Sequence, residues 1–557
     1  MRKTLLFTLT VGSFALLTSC SKMGALSADN FTVTPTPLET QGGVVSATVN
    51  GVFPEKYMKK NAVVTVTPEL RYGNGQVAKG TSATFQGEKV LGNDQTVSYR
   101  LGGHYTMKTS FDYEPDMQKS DMYLTFDARL GNKTVEIPAV KVDYGVLATS
   151  ELYRKALSNG GGCMALDSFQ RVKAQKQAAN IRFLINQANL RKSELKNNTV
   201  TEFVKMLKEI NRDREGMNLQ SVEIQAYASP EGGYSYNDKL ANKRQNVSEN
   251  YVRSEMKKAG VSGAIDAHYT AQDWDGFQQL VQASNIQDKE VILRVLSMYK
   301  DPEEREQQIR NMSEGFRELA DGVLPELRRS RLIINYETIG RNDEQIQTQY
   351  NEDASKLSVE ELLYYATLED NVAKKEEIYT KTAQLYPNDY RPLNNLAALA
   401  FNSGDDTKAK NLLQQALAKS GAANEANANL GLIALKNGNV SEAENLIAKA
   451  TGANALNEAL GNLSIAKGNY AQAESYLKDS SNNSAALAQL LNKNYAGAKA
   501  TLNSIKNPDA LTSYLHAIVS ARQGNKYAAT SYLKEALQKD SSLKAYADND
   551  LEFANVK

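Results

Sequence analysis

Along the first quarter of the chain apolar residues alternate with polar ones, and along the last third they recur at steps of three and four. The alternating part runs from Phe31 to about Val146, with runs at 31–34, 44–49, 62–67, 82–85, 96–101, 105–113, 122–130 and 134–142. Gly-Asn, Asn-Asp and Gly-Gly pairs separate these runs. A period of two sends successive side chains to opposite faces of a strand, so the pattern predicts short strands in two facing sheets. The middle of the chain mixes both periods. Strands are predicted at 181–185, through Val222, Ile224 and Ala226, at 264–270 and at 332–336, with a helix at about 201–211. Ser229-Pro230-Glu231-Gly232-Gly233 breaks the second strand. Asn237, Leu240, Arg244, Val247 and Tyr251 then share one face of a long helix. Residues 275–325 read as a helical insertion, with Pro302 at the first helical position after the capping residue Asp301.

From about 353 the composition turns to Ala, Leu, Asn and Lys in a repeated helical pattern. Ala409, Ala443, Ala473, Ala498 and Ala529 follow one another at 34, 30, 25 and 31 residues. Gly404-Asp405, Gly438-Asn439, Gly468-Asn469 and Gly524-Asn525 mark turns between helices, each after a small residue (Ala397, Gly431, Gly461, Ala517). Small residues recur where paired helices approach closely. The array resembles tetratricopeptide repeats, best in its second and third units and degenerate around 485–505. That resemblance implies an all-α solenoid over 353–545 whose concave surface takes peptide or protein partners. The strands of 31–148 suggest an all-β immunoglobulin-like sandwich, serving as a spacer or a docking module.

The stretch from Val222 to Val252 resembles the C-terminal, peptidoglycan-associating domain of the OmpA family. That family's motif is an apolar strand, G-Y-T-D-x-x-G, then N-x-x-L-S-x-x-R-A. Here residues 226–232 stand for the first part, and Asn237, Leu240, Ala241 and Arg244 for the second. Leu327-Arg328-Arg329-Ser330-Arg331 leads into a strand resembling the family's closing one. The resemblance implies an α+β domain over 179–340 in which an aspartate and an arginine grip the diaminopimelate of the stem peptide. Arg244 supplies the arginine, Asn237 braces the turn, and Ser229 stands where the aspartate belongs, with Glu231 two residues on. A serine offers no charge to the ligand's ammonium group. Two readings stay open: a peptidoglycan-binding domain, or a protein-docking module of the same fold within an envelope assembly.

Residues 1–19 read as a secretory signal, with Arg2 and Lys3 before an apolar run too short to span a membrane. Leu17-Thr18-Ser19-Cys20 resembles a bacterial lipobox, which implies acylation of Cys20, palmitate included, and anchoring in the membrane by two or more chains. No acidic cluster follows Cys20 in the linker 20–30, so the expected place is the outer membrane, on its periplasmic face. With 65 basic and 64 acidic residues there is no field to attract nucleic acid. Cys163, in a linker-like Gly-Gly-Gly-Cys within the connector 149–178, has no second cysteine besides Cys20 and reads as an inert thiol. His104, His268 and His516 fall in different regions, and there is no P-loop, HExxH or GxSxG. No cofactor, metal site or catalytic residue is expected, and a wall-modifying hydrolase is the remaining enzymatic alternative. The whole resembles an outer-membrane lipoprotein of Bacteroidota: a multidomain scaffold meeting peptidoglycan through its middle domain and envelope proteins through its repeats.

Overall fold

The computed structural model describes residues 23–157, 161–286, 288–311 and 313–556. Cys20 and the expected signal lie outside them. The chain forms two compact units, Met1–Asp167 with Ala366–Lys557, and Ser168–Tyr365.

The first unit opens with two sheets. One holds Phe31–Thr34, Leu38–Gln41, Val44–Phe53, Gly103–Asp112 and Val146–Leu147. The other holds Ala62–Tyr72, Gln76–Lys79, Ala83–Gly87, Gln95–Val97, Asp121–Leu130 and Lys133–Tyr144. Val45, Val49, Phe53, Val64, Val66, Leu70 and Leu124 fill the space between them. Gly103–Asp112 shows why alternation reads well here: Tyr105, Met107 and Phe111 face inward while His104, Thr106, Lys108 and Ser110 face water. Leu38–Gln41, Gln76–Lys79 and Val146–Leu147 were not expected. Each has four residues or fewer and lies beside Pro or Gly, so no apolar period marks it.

The helical part consists of antiparallel hairpins. Arg391–Asn402 pairs with Asp406–Lys419, Asn424–Lys436 with Val440–Ala448, and Leu456–Ala466 with Tyr470–Tyr476. Asn483–Leu491 then pairs with Tyr495–Ser504, and Ala510–Arg522 with Lys526–Lys539. This all-helical array of successive hairpins is consistent with the expected tetratricopeptide solenoid. Gly404, Gly438, Gly468 and Gly524 turn each hairpin at positive φ, followed by Asp or Asn at the helix start. In the degenerate unit Lys493 takes that conformation, at φ 65°, ahead of Asn494. A Cβ on Gly431 would stand 2.5 Å from Ile447 Cγ1, and one on Gly461 2.4 Å from Leu477 Cγ.

The sheets pack directly on these helices. Gln41 Nε2 donates to the Gly468 carbonyl at 2.8 Å, and Tyr546 Oη to that of Ala148 at 3.1 Å. Arg522 pairs with the buried Glu552, which accepts the Thr149 hydroxyl at 2.5 Å. Leu152, Tyr153, Ala156 and Leu157 belong to the repeat core. The sandwich is thus part of one compact unit with the repeats.

In the second unit the order is strand, helix, strand, helix, strand, helical insertion, strand. The sheet runs Val172–Arg182, Arg329–Ile339, Met217–Tyr227, Ala264–Thr270; the last pair is parallel and the others antiparallel. Asn198–Arg212 and Tyr234–Ala259 cover one face, burying Val200, Phe203, Leu207 and Val252 against Ile181, Ile224 and Leu332. The first strand starts nine residues before the expected 181, because residues 172–177 lie on a sheet edge and their Lys and Gln side chains carry no apolar period. The insertion has its own core of Phe277, Val281, Ile292, Leu296, Leu319 and Leu327.

Two outcomes follow from the first unit. Gly431→Leu overpacks its hairpin, costing about 1–3 kcal/mol in urea unfolding, and limited proteolysis should find repeats and sandwich lost together. The second concerns Asp550, which accepts the Tyr514 hydroxyl at 2.6 Å; burial pushes its carboxyl up to about 6 from an ordinary 3.8. The folded chain therefore holds this proton where the unfolded chain has lost it. Its contribution is full below pH 3.8, shrinks as pH rises to about 6 and is flat beyond. Subtracting the stability–pH curve of Asp550→Asn from that of wild type should isolate this descending limb.

Candidate functional site

Two places in the fold gather the side chains that chemistry would need. The first is the turn before the helix Tyr234–Ala259. Gly233 caps this helix without a side chain, so the turn must be held by other groups. The Asn237 amide does so, donating to the carbonyls of Ser229, Glu231 and Gly232 at 3.1, 3.2 and 3.1 Å. Ser229 is buried and donates to Glu231 Oε1 at 2.9 Å. Glu231 pairs with Arg328 at 2.7 Å, and the Gly232 N–H donates to Glu306 of the insertion at 2.8 Å.

Arg244 stands seven residues, two turns, beyond Asn237 on the same helix and is 1% exposed. Its Nε, Nη1 and Nη2 donate to the carbonyls of Gln187, Tyr227 and Leu184 at 3.0, 2.8 and 3.2 Å, with the guanidinium over Phe183. Burial, and next the neighbouring Arg328, lower it to about 10, so it stays charged at neutral pH. The structure brings Ser229, Glu231 and Asn237 together. It places Arg244 behind them, fastening the loop after the first strand to the end of the second. The cleft between turn and insertion, lined by Pro230, Trp274, Phe277 and Leu319, encloses about 10 Å³, the lower limit for one water. Arg328 reads in the sequence only as part of the closing-strand motif and Glu306 not at all as a site residue: they lie 97 and 74 residues from their partners, and no local pattern links them.

The second place is the concave face of the repeats. Residues 162–167 cross it as an extended segment. Asn429 accepts from the Cys163 N–H at 2.6 Å and donates to its carbonyl at 2.9 Å. Asn395 does the same for Ala165, at 2.7 and 3.1 Å. These two asparagines stand 34 residues apart, each two residues before a close-packing position, Ala397 and Gly431. Asn394 also donates to the Cys163 carbonyl, Asn454 to that of Met164 and Arg391 to that of Asp167, while Asn402 accepts from Gly162. Cys163 is fully buried, and burial first, then Glu458 and Glu425, push its thiol up to about 12. The expected linker-like stretch is therefore fastened to the repeats with Cys163 and Ala165 buried, and the thiol keeps its proton. The sequence signal for this pair is its 34-residue recurrence, in step with the small residues Ala397 and Gly431.

Among the described residues no group of His, Cys, Asp and Glu is placed to hold a metal, and no helix is long and apolar enough to cross a membrane. No family model matches the chain, and no curated protein does. Solved structures similar to it include a tetratricopeptide repeat protein from Parabacteroides merdae, 16% identical over 44% of this chain and 98% of its own, at a TM-score of 0.27. PilF of Pseudomonas aeruginosa is 16% identical over 39% of this chain and 98% of its own, at 0.25. Yeast Tom70 is 10% identical over 64% and 78%, at 0.24. Scores this low carry no argument; the repeat assignment rests on the hairpins themselves.

Arg244→Ala removes a charged donor from the carbonyls of Gln187, Tyr227 and Leu184, of which Leu184 keeps the Gln187 N–H. Losing one bond to a charged group costs about 1.5–3 kcal/mol, and the second unit should lose at least that in denaturant melts. Arg244→Lys should recover little, since a single ammonium cannot span three divergent carbonyls.

Proposed function

We propose that this chain is a non-enzymatic scaffold of the bacterial envelope, held at the periplasmic face of the outer membrane by acylated Cys20 and binding protein partners through its repeats. The observation that carries this reading is the concave face, where two equivalent asparagines each grip an extended main chain by both N–H and C=O. Such a surface is suited to holding an extended segment of a partner. In this reading the middle fold, with its OmpA-like order of elements, docks protein rather than peptidoglycan. A stem-peptide carboxylate would need the Arg244 guanidinium, which three main-chain carbonyls engage. An ammonium group would need the carboxylate of Glu231, which Arg328 holds.

The test is fractionation with sacculi. Wild type should enter the outer-membrane fraction, Cys20→Ala should leave it, and neither purified wild type nor Ser229→Asp should sediment with isolated sacculi. Sedimentation that Arg244→Lys abolishes without unfolding the second unit would restore the wall-binding reading.

A further inference from the structure

The segment lying across the repeats belongs to the chain itself, yet it is held as a bound peptide would be. Every polar contact described for it from Asn394, Asn395, Asn402, Asn429, Asn454 and Arg391 goes to main chain. Main chain is common to all peptides, so what these contacts select is conformation, not sequence. Among side chains, the Cys163 thiol reaches the Ala455 carbonyl at 3.6 Å, and the inward positions are otherwise bounded by size. Cys163 and Ala165 point inward and are buried, while Leu166 is 62% exposed. At Gly162 a Cβ would stand 3.1 Å from both Ala398 Cβ and Asn402 Oδ1. The accepted pattern is therefore glycine, small, any, small, any.

The same face continues past Asn402 as an open cavity of about 790 Å³, lined by Asn482, Asn483, Ser484, Ile505, Lys506 and Asn507 among others. A segment longer than the resident one has a foothold there. It can then replace its predecessor one residue at a time, each asparagine exchanging one main-chain pair for an identical one. We propose that the concave face is a receptor for an extended partner segment with small residues at two alternate positions, and that residues 162–167 are the resident occupant it displaces. This rests on the reading of the repeats as an interaction array and names the chemistry of their partner. A tethered occupant competes at an effective concentration on the order of millimolar, so a bare peptide must reach that range to displace it.

Cys163 reports the exchange, because its thiol is buried while the segment is seated. Full-length protein is treated with a maleimide, and labelling is read by mass spectrometry on the peptide containing Cys163, which keeps Cys20 out of the signal. The probe is acetyl-Gly-Gly-Ser-Met-Ala-Leu-Asp-amide, raised to about 10 mM. Labelling should accelerate saturably, by about tenfold or more, while a control peptide with Leu at both inward positions has no effect. Ala165→Leu, which spoils the occupant and leaves the groove intact, should lower the peptide concentration giving half the effect. A labelling rate indifferent to the peptide, in protein that labels promptly once unfolded in urea, would overturn the proposal and make the segment a permanent part of the core. Labelling that instead falls as protein concentration rises, with a dimer on size exclusion, would assign the groove to a second copy and equally overturn it. Capture of an envelope partner without thiol release would remove this inference and leave the scaffold reading. Thiol release by the peptide in a protein that reaches no membrane would do the reverse.

Discussion

A main chain buried outside helix and sheet must find a partner for each N–H and C=O it carries, at about 1–3 kcal/mol for every group left bare. In the first unit residues 162–167 face that demand, and the helices of the repeats meet it with side-chain amides. An asparagine amide offers a donor and an acceptor a fixed distance apart, which suits one residue of an extended chain. Two such amides one repeat apart, Asn395 and Asn429, serve Ala165 and Cys163, alternate residues of the segment. The rest of this face follows from that spacing. A Cβ is crowded at Gly162, a small residue sits buried at Ala165, and the cysteine is sealed where its chemistry is silent.

The second unit solves the same problem with charge. The turn 228–233 leaves carbonyls that no ladder reaches, and Asn237 takes three of them. Arg244 takes three more from two separate stretches of chain. A buried guanidinium costs solvation, which its bonds to carbonyls and its contact with Phe183 offset. The residue types that promise ligand chemistry are thus the ones best suited to fastening irregular main chain.

This is also why legibility differed along the chain. The long strands and the repeat hairpins announce themselves through period and turn residues, since burying one face of a strand or helix dictates its apolar spacing. Val172–Arg182 does not, because its first half is an edge with nothing to bury. Lys493 hides a turn that glycine marks in other hairpins. At the candidate site Ser229, Glu231, Asn237 and Arg244 were legible as a group, but which of them face a ligand depended on partners far away in sequence: Arg328, Glu306 and the carbonyl of Gln187. The groove's occupant was harder still. Residues 162–167 have the composition of a linker, and only the side chains of residues 391–454 fasten them in place.

Those separations bear on how the molecule is made. Cys163 and Asn429 are 266 residues apart in sequence, and Met164 and Asn454 290. Repeat hairpins close local loops and can form as they emerge, whereas contacts between distant segments form slowly. A chain synthesised from its N-terminus carries 162–167 without these partners until Arg391–Asn402 has followed, and without the full set until residue 454. Closing so long a loop adds only logarithmically to the entropy, so the delay is a matter of waiting rather than of stability. During that interval both the segment and the face that will receive it are bare, and binding by a chaperone or by another chain competes with self-assembly.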